Sequence, residues 1–186
     1  MRSKKLFIGL NIFGLASGLA CSILIFLWVQ DELSFDKFNP GADRIFRLTA
    51  NVKDIESAMA PPAFAEAIKS AIPGIKSTTR ITPLEKIITV GVRKFDEKHM
   101  YYVDSNFLRI FNYPLLRGDK ASVLLTPNSV VVTEATAIKY FGSVDQAMGK
   151  SIYIDNDIKG TALQITGVLK NVPTNSHLQF DLLLPM

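Results

Sequence analysis

Residues 12–30 read IFGLASGLACSILIFLWVQ, the centre of an apolar run from Leu6 to Val29 without one ionisable side chain. Three readings compete for it: a cleaved signal, a lipidation site at Cys21, or a membrane span. A helix rising about 1.5 Å per residue needs roughly 20 apolar residues to cross the hydrocarbon core, and this run has 24. A secretory signal has a shorter apolar region, roughly 7–15 residues, followed by a small-residue cleavage site. Ala20 and Cys21 imitate lipoprotein processing, but Gly18 stands three before the cysteine, where such a signal has a Leu-like residue. The run then continues as SILIFLWV over residues 22–29, which a cleaved signal has no reason to keep. The length favours an uncleaved span.

Arg2, Lys4 and Lys5 precede the run, while Asp31, Glu32 and Asp36 follow it. Basic flanks stay in the cytoplasm, and acidic ones matter little. Residues 1–5 are therefore expected inside, 6–29 in the membrane and 30–186 outside. Trp28 stands where an interfacial aromatic belongs. Gly14 and Gly18 form a G-x-x-x-G pair that Ser22 extends by one turn. That spacing lets a second helix approach closely, although glycine is also common in lipid-facing helices. Asn11 could hydrogen-bond across such an interface.

The chain has 21 basic and 17 acidic residues. Without Arg2, Lys4 and Lys5 the balance in residues 30–186 is 18 to 17, so the basic pI reflects membrane topology and gives no reason to expect a nucleic-acid partner. Cys21 is the only cysteine, so the exported region has no disulfide framework and relies on an ordinary core.

Residues 44–52 alternate with Phe46, Leu48, Ala50 and Val52 on one face, as a half-buried strand does. Pro61 and Pro62 open a helix with Phe64, Ile68, Ala71 and Ile72 as its apolar stripe, ended by Pro73 and Gly74. Strands are expected at 75–82, at 86–93 with Ile88, Val90 and Val92 on one face, and at 98–103. Asp104 can cap a short helix carrying Leu108 and Phe111 inward. A strand at 130–132 precedes a helix capped by Thr133, burying Ala135, Ile138 and Phe141 and stopping at Gly142. Ser143 and Gln146 make a capping box. Strands at 150–155, 162–170 and 178–184 follow. This irregular mixture indicates an α+β fold.

Catalytic signatures are absent from the sequence. Gly149, Lys150 and Ser151 resemble the end of a P-loop, but position 144 is Val and the following residues alternate like a strand. His99 and His177 have no carboxylate or cysteine at ligand spacing, so neither a metal nor a cofactor is expected. No serine sits in G-x-S-x-G. The adjacent pairs Asp31/Glu32 and Asp96/Glu97 read as solvated faces.

NIFGLASGLA (11–20), VQDELSFDKF (29–38) and ADRIFR (42–47) together resemble the first membrane helix and exit segment of MacB/FtsX-like ABC transporter permeases. NSVVVTEATAIKYFG (128–142), MGK (148–150), ITGVLKNVP (165–173) and SHLQFD (176–181) are similar to that family's extracytoplasmic core domain. The resemblance implies a non-catalytic permease subunit of the inner membrane, driven by a separate cytoplasmic ABC ATPase and paired as a homodimer or heterodimer. It further implies a two-part α+β exported domain, one part built from segments of both ends, and substrates such as peptides, drugs or lipoproteins. A periplasmic adaptor is a further partner it suggests.

Two departures from the family carry expectations of their own. Only five residues precede Leu6, and the chain stops at Met186 before the exported domain normally closes, so a fragment is expected. In that reading the strand at 44–52 shares a sub-structure with the strands at 162–184, and Leu182, Leu183 and Leu184 lie exposed at an unpaired edge. The competing functional class is a membrane-anchored receptor module sensing an external ligand, which one span and an α+β domain also fit. An exported enzyme on an uncleaved anchor is the third.

Overall fold

A computed structural model describes residues 2–52, 55–57, 60–154 and 160–186. Two compact units result, one of Met1–Phe38 with Asn175–His177 and one of Asn39–Thr174 with Leu178–Met186.

The first unit is dominated by α1, Arg2–Glu32, 31 residues long. An 18-residue window within Phe7–Glu32 has a mean hydropathy of 2.3, and nothing among the described residues covers it. Large apolar side chains such as Phe13, Leu15, Ile25 and Trp28 are exposed around it. A helix of this length that is apolar on every face is long and apolar enough to cross a membrane. It overruns the expected 6–29 at both ends, because neither the basic start nor Asp31 and Glu32 break a helix. The hydroxyls of Ser17 and Ser22 donate to the carbonyls of Gly14 and Gly18 at 3.0 and 2.9 Å. Both are satisfied within their own helix, as an apolar solvent requires.

The second unit opens with a 3-10 turn at Ala42–Arg44. Of the strand expected at 44–52, only β1, Ala50–Val52, forms, and it pairs antiparallel with its neighbour β2, Ile55–Ser57. β1 and β2 make a sheet of their own, apart from the sheet of the late strands, although both sheets belong to the same compact unit. Phe46, which was to anchor the longer strand, is 87% exposed. The helix α2 runs over Phe64–Ala71 with its apolar stripe in place, yet none of its residues is buried.

The remaining strands form one sheet, with β3 at Ile81–Val90, β4 at Arg93–Val103 and β5 at Leu115–Arg117. β6 at Ser129–Thr133, β7 at Ser151–Ile154, β8 at Thr161–Leu169 and β9 at Leu182–Pro185 complete it. Its order is β5-β8-β6-β9-β4-β3-β7, and β7 pairs back onto β8. Six strands thereby close into a ring, with β5 beside β8. Neighbours are antiparallel except β4–β9 and β6–β8, which run parallel. The expected edge at Leu182–Leu184 is overturned: β9 lies between β4 and β6, and those leucines are at most 2% exposed.

β3 merges parts of two expected strands and runs through Pro83. Its second neighbour, β7, reaches only Ile88 and Thr89, so at Pro83 that edge is open and a missing N–H is tolerated. The chain reverses at Gly91, φ +60, and Val90 faces Arg93 across a two-residue loop. A left-handed first loop position suits glycine. Val92, expected on an inner strand face, is instead in this loop and 99% exposed.

Two helices, α4 at Glu134–Phe141 and α5 at Val144–Ala147, lie in the crossover from β6 to β7. Thr133 caps α4 by accepting from the Thr136 N–H, Ser143 likewise caps α5 through Gln146, and Gly142 ends α4 at φ +86, all as expected. The buried face of α4 differs from the expected one. Thr136, Ala137 and Tyr140 are inside, whereas Ala135 and Ile138 are exposed. Apolarity alone misplaced the face because a tyrosine whose hydroxyl finds a partner buries as readily as phenylalanine.

Ala137, Tyr140 and Ala147 join Ile88, Met100, Val130, Val132, Ile152, Ile165 and Leu182 in the main core. A second, aromatic cluster gathers Phe107, Tyr113 and Phe180, with Tyr113 edge-on to Phe180 at 4.9 Å. Phe107 belongs to α3, Phe107–Ile110, where Leu108 is buried but Phe111 is only half-buried. Asp104 does not cap α3; it holds Arg80 instead. The last residue of the strand expected at 150–155, Asp155, lies outside the described residues.

Candidate functional site at the end of the membrane helix

After α1 the chain turns at Leu33–Phe38, and Asp36 takes φ +56. Among non-glycine residues aspartate tolerates this left-handed conformation comparatively well. The turn is held by two residues from the far end of the sequence, Asn175 and His177. The Asp36 N–H donates to the Asn175 carbonyl at 2.9 Å. Asn175 Nδ2 donates to the Ser34 carbonyl and to Ser34 Oγ, both at 3.1 Å. The His177 N–H donates to Asp36 Oδ1 at 3.1 Å, and His177 Nδ1 lies 2.7 Å from Asp36 Oδ2. The His177 ring rests on Phe35 with centroids 4.9 Å apart.

Each polar contact is partly solvated and individually worth little. Together they engage backbone and side chain on both partners, so the turn has a defined mate. Spacing along the sequence offers His177 no partner and does not connect it with Asp36. Nothing in one sequence links two polar residues 141 positions apart.

The small-residue row of Gly14, Gly18 and Ser22 lies along one side of α1, as a spacing of four requires. A Cβ added at Gly14 or Gly18 meets nothing within 4 Å, so none of the described residues packs against this row. Arg2, Lys4 and Lys5 fall in the first turns of α1; Lys4 is exposed, and the side chains of Arg2 and Lys5 lie outside the described residues.

Other polar clusters are closed on themselves. Glu97, expected in solvent, is 4% exposed; it accepts from Lys139 Nζ at 2.6 Å and from the Tyr140 hydroxyl at 2.7 Å. Burial, then the bond to Glu97, pushes the Tyr140 phenol well above its usual range. Lys139 and Arg93 also lie against the Phe95 ring. This group pins α4 to β4. Arg80 is bound through its guanidinium and its N–H to the Asp104 carboxylate, which raises its pKa further. Asp104 and Asn106 line an open cleft of about 350 Å³, but Asn106 Nδ2 already donates to Ser77 and Thr78. Gly149, φ +73, is a turn and Ser151 begins β7, so the GKS stretch does not open a helix as a P-loop does. Among the described residues no three His, Cys, Asp or Glu side chains are grouped to hold a metal.

The sequence profile of the MacB-like periplasmic core domain matches residues 8–186. A permease-protein domain from Porphyromonas gingivalis is similar in structure, with 25% identity, a TM-score of 0.59, and coverage of 75% of this chain and 58% of that one. The periplasmic region of MacB from Actinobacillus actinomycetemcomitans has 17% identity and a TM-score of 0.51 over 81% of this chain and 62% of that one. The extracellular domain of the noncanonic ABC-type transporter YknZ from Gram-positive bacteria has 16% identity and a TM-score of 0.52 over 67% and 61%. The chain therefore spans about 60% of the length of these structures. No curated protein matches it. With nearly every residue inside the matched region, the chain belongs to the MacB-like periplasmic core domain family.

Proposed function

We propose that the chain is the N-terminal part of a MacB/FtsX-like permease subunit. It relays ATP-driven motion from a cytoplasmic ATPase partner to a domain outside the membrane, for export of a substrate such as a peptide, drug or lipoprotein. The observation that carries this reading is the continuity of one helix, apolar on all faces, with a domain of this family. Residues 1–5 lie in the cytoplasm, 6–29 cross the inner membrane and 30–186 work outside it, in the orientation Arg2, Lys4 and Lys5 favour. The chain has no catalytic step of its own and ATP is hydrolysed on the partner. Two subunits pair, with Gly14, Gly18 and Ser22 supplying a close-packing face, and a periplasmic adaptor can extend the assembly.

A reporter active only outside the cytoplasm, fused after Asp119, tests the orientation; the fusion is expected to be active. Affinity isolation of the intact permease from membranes is expected to bring an ABC ATPase with it. A silent reporter in a well-expressed fusion, or a permease isolated with a signalling kinase in place of the ATPase, overturns the reading.

A further inference from the structure

Asn175, Ser176 and His177 belong to the unit of the membrane helix, while the chain on either side of them belongs to the other unit. The polypeptide therefore passes between the units at 38/39, 174/175 and 177/178. A domain hung on a helix by a simple linker passes once. The first passage leads to Asn39, whose carboxamide accepts the Asn112 N–H at 3.0 Å. The other two lead from the clasped segment into β8, which ends at Leu169, and β9, which begins at Leu182.

We propose that Asp36 and Asn175 are positioning residues that transfer displacement of the membrane helix into strands β8 and β9. The inference rests on the permease reading and assigns its relay to a particular contact. Extended chain covers at most roughly 3.3–3.6 Å per residue. The six steps from Leu169 to Asn175 and the five from His177 to Leu182 thus set an upper bound on the slack. Once the turn at Asp36 moves by more than that slack, the clasp either opens or pulls on both strands. Val168 and Leu169 at the end of β8 and Leu182–Leu184 of β9 are buried in the closed ring, whose packing does not deform continuously. The geometry of Asp36 separates its two contributions. Glycine at position 36 keeps the left-handed turn and removes the carboxylate that receives His177, whereas asparagine keeps the turn and an acceptor.

The experiment uses the full-length permease with its ATPase in lipid nanodiscs. Hydrogen exchange is read at peptides covering 161–169 and 182–185, nucleotide-free and with ATP and vanadate. The intact assembly is expected to change its exchange there on trapping. Asp36→Gly is expected to shrink that change about fivefold or more, the lower end of ordinary coupling between sites, while Asp36→Asn retains most of it. A disulfide from Ser34→Cys and Asn175→Cys, introduced with Cys21→Ser and Asp36→Gly, replaces the clasp covalently and is expected to restore the response. Restoration excludes simple misfolding as the cause of the loss. A response in Asp36→Gly equal to that of the intact protein overturns the proposal. If the intact assembly hydrolyses ATP and the strands do not respond, the relay falls and the permease reading stands. If no ATPase assembles with it, both fall.

Discussion

The Tyr140 hydroxyl donates to Glu97 at 2.7 Å, joining α4 to β4 across 43 positions of sequence. Burial and this bond raise the phenol's pKa in the folded chain, while in the unfolded chain it titrates near 10. Above that pH the unfolded state sheds a proton that the folded state keeps, so stability falls as pH rises. Below it the contribution is complete. Urea midpoints between pH 8 and 11 are expected to decline more steeply for the natural protein than for Tyr140→Phe; parallel curves would show that Tyr140 ionises freely when folded.

Glu97 has two donors to lose. Glu97→Ala strands a buried hydroxyl and is expected to cost roughly 1–3 kcal/mol, whereas Tyr140→Phe leaves Glu97 paired with Lys139 and costs about 1 kcal/mol. Glu97→Gln keeps an acceptor and falls between the intact protein and Glu97→Ala. Chemical denaturation of the three variants checks the order, and equal losses for Gln and Ala would mean the carboxylate's charge, not its acceptor, matters.

Gly74 and Gly118 share φ +97 but differ in surroundings. A Cβ at Gly118 would stand 2.7 Å from the Thr166 carbonyl oxygen and from Val123 Cγ1, whereas one at Gly74 meets nothing within 4 Å. Gly74→Ala is expected to cost about 1–2 kcal/mol for the left-handed backbone alone, and Gly118→Ala about 1–3 kcal/mol more for overpacking. Thermal unfolding of the two variants measures the difference.

Gly18→Leu in the complete permease is expected to weaken helix association and leave membrane insertion intact, since leucine suits lipid but blocks close approach. Cysteine cross-linking along α1 reads this directly. Undiminished cross-links would place the glycines against lipid.

Local signals survived the passage from sequence to structure. The apolar N-terminal helix, the caps Thr133 and Ser143 and the stop at Gly142 depend on residues a few positions apart, and each forms where its chemistry put it. Pairing across long separations was not legible. Leu182–Leu184 read as an edge because nothing nearby reveals that β4 and β6 flank them. Glu97 read as solvated because its partners Lys139 and Tyr140 are over 40 positions away. The clasp was hidden for the same reason, although Asp36 and His177 lie in stretches that carry the family resemblance. Phe46 and Val92 failed differently: strand-like alternation surrounds each, but a few residues of backbone pairing were missing.

The position of β9 also sets an order of events in biogenesis. Met100 must wait for Leu182, 82 residues later, to gain its parallel neighbour, and Val131 waits for Leu183. The hairpin of β3 and β4 can form as soon as it emerges, but the ring cannot be sealed until the chain through β9 is present. Until then Val130, Val132 and their neighbours are open to solvent, with strand edges on either side. A chain stopped before Asp181 is therefore expected to be an aggregation-prone intermediate rather than a smaller folded domain.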